Sequence, residues 1–196
     1  MSNFLPEPEL GEAAQRLYDE DLADNGYVMN LSRLWAHQPE AQGRLFGLIG
    51  EVAAAGGLTL RQRAVLVTAC ASTIGDSYCS LAWGTRLAAV AGAETAAGLL
   101  RGDDAGLEEP ERAMAAWARK VARDPNATRP EDVEELRAAG FGDGQIFAMT
   151  AFVALRLAFS TVNDALGARP DAALRAAAPE PVRRSVTYGR PAETVP

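Results

Sequence analysis

Residues 58–83, LTLRQRAVLVTACASTIGDSYCSLAW, contain the start of one apolar helix and the start of the next. Thr59 and Gln62 have the spacing of a capping box, in which a hydroxyl and an amide bind free backbone N–H groups at a helix N-terminus. The residues that follow are apolar on almost every side up to Gly75, where the helix is predicted to end. Asp76 then opens a second helix. Two such helices in succession predict a core built from helices.

The rest of the chain favours an all-α fold with a single domain. It has 196 residues, of which 48% are apolar, and it is rich in Ala, the best helix former. We expect an N-terminal arm over 1–9, a helical domain over 10–178 and an irregular C-terminal tail over 179–196. Predicted helices span about 11–23, 27–37, 39–55, 59–74, 76–91, 94–100, 111–123, 130–139 and 144–166, with a short Ala-rich helix beyond Pro170. Thr128 and Glu131 are the predicted cap of the helix at 130–139.

Charge and cysteine content exclude several classes of function. The net charge of −7 and the absence of a long basic run argue against a nucleic-acid partner. The first residues do not resemble a signal peptide, and no apolar stretch reaches about 18 residues without a charge, so we expect a cytoplasmic protein without a membrane partner. The two cysteines, Cys70 and Cys79, are expected to be reduced thiols. Whether they can form a disulfide stays open.

The central stretch resembles the alkyl hydroperoxidase D and carboxymuconolactone decarboxylase superfamily, in its peroxidase-related branch. The motif of that family is a Glu, twelve residues to a Cys-x-x-Cys, and then x-x-x-His. On this spacing the Glu falls at Ala64, the two cysteines at Asp76 and Cys79, and the His at Trp83. Further similarity lies, in the family's order, at 34–40, 58–63, 112–125, 132–143 and 163–167, so that the resemblance covers about 27–170. It implies an alkyl hydroperoxidase D-like helical bundle that assembles as a homo-oligomer, with dimer, trimer and hexamer all open.

The degenerate motif excludes the paired-thiol cycle of the family. A dithiol peroxidase needs a second sulfur to capture the sulfenic acid formed on the first, and Asp76 cannot do this. Ala64 and Trp83 offer no titratable group where the family has a Glu and a His. Dithiol peroxidase activity is therefore not expected.

Asp76 and Cys79 are the predicted catalytic residues. Asp76 is either an acid/base group in an apolar pocket or the cap of its helix, and both roles are compatible. Cys79 is either a single reactive thiol or a small buried apolar residue. By the resemblance, the residues that line the substrate pocket are Ala64, Thr68, Tyr78 and Trp83.

Three functions follow. The first is an enzyme of lyase or isomerase type that handles a small organic molecule by acid/base chemistry. The second is a one-thiol hydroperoxide reductase of peroxiredoxin type that uses Cys79. The third is a non-catalytic relative that binds a ligand or acts as a scaffold. No metal or other cofactor is predicted, since His37 is the only histidine and no phosphate-binding glycine loop is present.

Overall fold

A computed structural model of the protein describes residues 3–193, and within that range the regular structure is helical. The helices are α1 (Glu12–Asn25), α2 (Asn30–Trp35), α3 (Pro39–Ala55), α4 (Leu60–Ile74), α5 (Ser77–Ala91), α6 (Ala93–Leu100), α7 (Glu109–Arg123), α8 (Pro130–Ala138), α9 (Asp143–Ala165), α10 (Ala172–Ala177) and α11 (Glu180–Ser185), with one turn of 3-10 helix at Pro125–Ala127. No strand occurs in the described part of the chain. The predicted all-α class is confirmed.

Helix α4 lies at the centre of the molecule, as its composition predicts. Every residue from Ala64 to Ala71 is buried, and α4 packs against α5, α6, α7 and α9. The predicted capping box at its start is present, because Thr59 Oγ1 accepts from the Gln62 N–H and Gln62 Oε1 accepts from the Thr59 N–H. Gly75 ends the helix at a φ of 78°, a left-handed conformation that only glycine adopts readily. The two ends of α4 are thus set by Thr59 and Gly75, and α5 begins shortly after Gly75.

Helix α9 carries apolar side chains toward α3, α4 and α7. By length and composition alone it could cross a membrane. The same composition is typical of a helix in a protein core, and Phe152 and Val153 of α9 are buried in this one. Arg156 and Ser160 lie within the same helix, and both are buried.

Two details of the sequence prediction are wrong. Asp132, rather than Glu131, accepts from the backbone N–H at the start of α8, and the Thr128 hydroxyl donates to the Pro125 carbonyl instead of capping. The segment beyond 179 is also more regular than expected, since α11 packs against α5 and α6 and fully buries Val182. A proline is tolerated in the first helical turn, where its missing N–H would have had no partner.

The residues flanking the domain lie against it. In the N-terminal arm, the Asn3 side chain donates to the Asn30 carbonyl and the Phe4 N–H donates to the Leu166 carbonyl. The Ser77 hydroxyl donates to the Arg190 carbonyl, and the Tyr188 hydroxyl donates to the Ser80 hydroxyl. We call 186–193 the strap, because it crosses the first turns of α5. Residues 194–196 of the predicted tail and 1–2 of the predicted arm lie outside the described residues.

Candidate functional site

The candidate site is built around the N-terminus of α5. Asp76 is its N-cap, and Oδ1 accepts from the Cys79 N–H at 2.8 Å, which confirms the predicted capping role. Asp76 is fully buried, and its second oxygen, Oδ2, has no hydrogen-bond partner. A buried carboxylate oxygen without a donor is costly, so Oδ2 is free to accept a hydrogen bond from a new donor.

Two residues of α9 contact the Cys79 sulfur. Arg156 Nη2 lies 3.4 Å from Sγ and Ser160 Oγ lies 3.6 Å from it. Arg156 and Ser160 are four residues apart, so both project from the same face of α9. Neither residue is among those predicted from the sequence. The sequence feature that indicates such a residue is the single Arg within the long apolar stretch of α9.

Burial decides the protonation of Cys79. Loss of solvent and the charge of Asp76 raise the pKa of the Cys79 thiol. Arg156 and Ser160 lower the pKa, but they do not offset the other contributions. The sulfur therefore carries its proton at neutral pH.

Arg156 is a buried cation held by aromatic rings. The residue is 4% exposed, and its Cζ lies 5.2 Å from the ring centre of Phe159, 5.3 Å from that of Trp83 and 5.8 Å from that of Phe46. Within residues 3–193 no carboxylate forms an ion pair with it, and its Nε–H has no acceptor. Cation–π contacts of this kind stabilise a guanidinium by about 0.5–2 kcal/mol each, which does not replace a counter-ion.

These side chains surround a cleft of about 270 Å³. Its walls include four aromatic rings, one thiol, two guanidiniums and two carboxylates. The residues are Phe46, Tyr78, Trp83, Phe159, Cys79, Arg86, Arg156, Asp21 and Asp24, together with several smaller side chains. Asp21 uses Oδ2 to accept from the Met29 N–H at 2.8 Å. The cleft has the size of a small organic molecule and combines a mostly apolar wall with a few convergent polar groups, as ligand sites do.

Of the four residues predicted to line the pocket, two line the cleft and two do not. Trp83 lines the cleft. Tyr78 also lines it, but its hydroxyl donates to Asp171 and so is already engaged. Ala64 and Thr68 are fully buried in α4 and do not line this cleft, and the Thr68 hydroxyl has no partner. Asp76 lies behind the wall, in contact with Cys79.

The two cysteines are separate, buried thiols, so they form no disulfide. Cys70 donates to the Val67 carbonyl inside α4, and burial raises its pKa to about 12. Among residues 3–193, no group of three His, Cys, Asp or Glu side chains is placed to hold a metal ion. His37 contacts the Pro6 carbonyl with Nε2, away from the cleft.

A second carboxyl group lies close to the site beneath the strap. Burial, with a smaller contribution from the charge of Asp76, raises the pKa of Asp164 to about 7, while Arg190 partly counteracts this. Arg190 also donates from Nη2 to the Asp164 carbonyl. Two carboxyl groups, Asp76 and Asp164, thus repel each other where the strap meets α5.

The arrangement of helices is matched by solved structures. An uncharacterized peroxidase-related protein with an alkylhydroperoxidase AhpD core from Ralstonia eutropha JMP134 superposes with a TM-score of 0.78, at 24% identity, over 89% of this chain and 95% of that one. The chain has the AhpD-like fold. A peroxidase-related protein from Silicibacter sp. TM1040 matches with a TM-score of 0.77, at 20% identity, over 87% of this chain and 93% of its own.

The debrominase Bmp8, in complex with 2,3,4-tribromopyrrole, matches with a TM-score of 0.70, at 16% identity, over 90% of this chain and 95% of its own. No family model and no curated protein matches the sequence. At these identities the likeness shows the AhpD-like fold, which the resemblance of the central motif predicted. The chemistry has to be argued from the residues of the cleft.

Proposed function

We propose that this AhpD-like protein is an enzyme of lyase or isomerase type that transfers a proton to or from a small organic molecule in the Cys79 cleft. The observation that carries the proposal is that a buried carboxylate, Asp76, accepts from the backbone N–H of Cys79 at 2.8 Å, while the thiol of the same residue lines the cleft. A proton can pass between the bound molecule and Asp76 through the sulfur. The pair supplies the acid/base group that the altered motif otherwise lacks.

The protonation of Cys79 favours this role. Because the pKa of the thiol is raised, the sulfur carries its proton when it meets a bound molecule and does not react as a nucleophile. Once the proton has left, Arg156 and Ser160 stabilise the thiolate. Asp76 caps the helical turn that carries Cys79 and is the second member of the proton-transfer pair.

The walls of the cleft suit a flat, partly apolar molecule. Phe46, Trp83 and Phe159 present three rings around the guanidinium of Arg156. The structurally similar Bmp8 was solved with tribromopyrrole, a small flat ring. This likeness in fold supports a small organic molecule as the substrate here.

A one-thiol hydroperoxide reductase is the second candidate, favoured by the Arg156 and Ser160 contacts to Sγ. The raised pKa of Cys79 opposes it, because peroxide reacts with the thiolate. Mass spectrometry after mild peroxide treatment separates the two, since rapid and reversible oxidation of Cys79 supports the reductase. A non-catalytic relative, the third candidate, would show a bound ligand and no turnover.

Proton transfer can be tested before the substrate is identified. The purified protein is incubated in D₂O with small lactones, conjugated acids and halogenated aromatic compounds, and deuterium incorporation is followed by NMR. We expect Cys79→Ser and Asp76→Asn each to slow exchange by roughly a hundredfold or more. Asn is as good an N-cap as Asp, so Asp76→Asn removes the acid/base group and leaves the helix cap.

Cys70→Ser is the matched control, because Cys70 is equally buried and does not line the cleft. It should leave exchange unchanged. Exchange that is catalysed by the wild-type chain and is insensitive to both Asp76→Asn and Cys79→Ser would exclude the proposed pair.

A further inference from the structure

The guanidinium of Arg156 is a buried charge without an ion-pair partner among residues 3–193. It lies in the cleft wall with 4% of the residue exposed. The hydrogen bond that it makes there goes to a protonated thiol, a weak acceptor. Its Nε–H is buried and has no acceptor at all. A desolvated cation with free donors is a strong site for an anion.

A second cation increases the positive charge of the cleft. Arg86 lines the same cleft, and its Cζ lies 5.0 Å from the ring centre of Trp83, the ring that Arg156 also contacts. Arg86 is an exposed residue, and partial loss of solvent around its guanidinium together with repulsion by Arg156 lowers its pKa. Two guanidiniums that repel each other across one indole ring are both stabilised when an anion binds beside them.

The acidic groups of the cleft do not neutralise Arg156. Asp21 accepts from the Met29 N–H, and Asp24 is exposed. Asp76 is behind the wall, where Oδ1 accepts from the Cys79 N–H. None of the three forms an ion pair with Arg156. A bound molecule can supply the acceptor that Arg156 lacks among the protein groups of the cleft.

We propose that Arg156 is a specificity-determining residue and that the molecule it holds is a small organic carboxylate with a flat apolar body. A planar guanidinium matches a planar carboxylate, which can accept from two of its N–H groups. Phe46, Trp83 and Phe159 enclose the apolar body, and a cleft of about 270 Å³ has room for a molecule of about ten heavy atoms. The carboxylate would lie beside Cys79, so this inference rests on the proposed function for the same cleft and names its substrate class.

The first experiment compares acids with their amides on the wild-type chain. Calorimetry measures binding of benzoate, cinnamate and sorbate, each against its primary amide, which has the same shape and no charge. At least one acid should bind roughly tenfold or more tightly than its amide, since a hydrogen bond to a charged group contributes about 1.5–3 kcal/mol. If no acid is preferred over its amide, the proposal is wrong.

The second experiment assigns the preference to Arg156. Arg156→Gln should reduce the ratio of acid to amide affinity to about one, and Arg156→Lys should restore part of it, because Lys keeps the charge and loses the planar fork. Arg184→Gln is the control, since Arg184 is an exposed residue paired with Glu180. A preference for the acid that persists in Arg156→Gln would overturn the proposal.

Arg156→Gln leaves a buried site without its cation, so its fold is checked by circular dichroism. If this variant does not fold, a measurement on the wild-type chain still tests the proposal. NMR of the arginine Nε–H groups should show a resonance, absent from Arg156→Lys, that shifts on addition of the preferred acid. A resonance that does not move while the acid binds would contradict the assignment.

Failure of this inference can be told from failure of the proposed function. Cys79→Ser and Asp76→Asn retain Arg156, so they should bind the acid while losing proton exchange. If the wild-type chain binds the acid but catalyses no exchange, the carboxylate site is supported and the proposed enzyme is excluded. If it catalyses exchange but prefers no acid over its amide, the enzyme is supported and the carboxylate site is excluded.

Discussion

At the scale of single residues, the properties of Cys79 depend on two opposite charges. Asp76 raises the pKa of its thiol and Arg156 lowers it, on a background of burial that dominates both. The burial and the Asp76 charge that make Cys79 a poor nucleophile keep the proton on its sulfur. A substitution of Asp76 should lower the pKa of Cys79, and a substitution of Arg156 should raise it.

This balance predicts the reactivity of Cys79 toward iodoacetamide. In a Cys70→Ser background, where Cys79 is the only sulfur from cysteine, alkylation should be slow at pH 7. Asp76→Asn lowers the pKa and should accelerate alkylation, by roughly tenfold for each pKa unit, whereas Arg156→Gln raises the pKa and should slow it. The rates are measured by mass spectrometry between pH 7 and 10. Fast alkylation at pH 7 that Asp76→Asn does not change would contradict this account.

The sequence could predict those site residues that share one helix. Asp76, Cys79 and Trp83 are three or four residues apart, so helical spacing alone places them together. Arg156 is separated from Cys79 by 77 positions, and a local pattern carries no information about which helices pack together. Ala64 and Thr68 belong to the helix that the resemblance implied, yet their side chains are buried beneath α5 rather than in the cleft wall.

At the scale of elements, helix ends were predicted where polar side chains or glycines mark them. Thr59, Asp76 and Gly75 gave correct boundaries because each binds or frees backbone groups locally. Helix α11 was missed because Pro179 and Pro181 suggested an irregular chain. Its stability comes from burial of Val182 against α5 and α6, which only the folded chain supplies.

The contact between the strap and α9 should make stability depend on pH through Asp164. Its pKa is raised from 3.8 to about 7, so the folded state favours the protonated form. The stability that this form contributes is complete below pH 4 and is lost as the pH rises to 7. Asp164→Asn should therefore be more stable than the wild-type chain at pH 8, on the order of 1–2 kcal/mol after allowance for solvent screening.

Urea unfolding at pH 8 and pH 5 measures this difference, which should shrink at the lower pH. Asp19→Asn, at an exposed position in α1, is the matched control and should change stability little at either pH. A wild-type chain that is more stable than Asp164→Asn at pH 8 would show that Arg190, rather than burial, dominates the environment of Asp164.

At the scale of the whole molecule, we propose that the chain forms a homo-oligomer. Helices α3 and α9 pack together, and Leu48 and Phe147 from this pair are 46% and 77% exposed. Large apolar side chains of this kind often lie in subunit interfaces. Light scattering after size-exclusion chromatography should give a multiple of 20.7 kDa. A molar mass equal to one chain would exclude the homo-oligomer.

The buried thiols and tyrosines together predict that the protein loses stability in alkali. Burial raises the pKa values of Cys70 and Tyr27 to about 12, and those of Cys79 and Tyr78 in the same direction. Each group stabilises the fold fully below its unfolded pKa, near 8.5 for Cys and 10 for Tyr, and this contribution falls as the pH rises toward the folded value. Each thiol thus costs about 1.4 kcal/mol for every pH unit above 8.5.

The melting temperature, followed by circular dichroism from pH 7 to pH 11, should therefore be constant at first and fall steeply above about pH 9. Cys70→Ser and Tyr27→Phe each remove one of these groups and should reduce the slope, whatever their effect at pH 7. Asp164 cannot cause this loss, because its pKa lies at about 7. A melting temperature that stays constant to pH 11 would mean that water reaches these side chains in the folded state, and the dry environment on which the proton donor Cys79 depends would not exist.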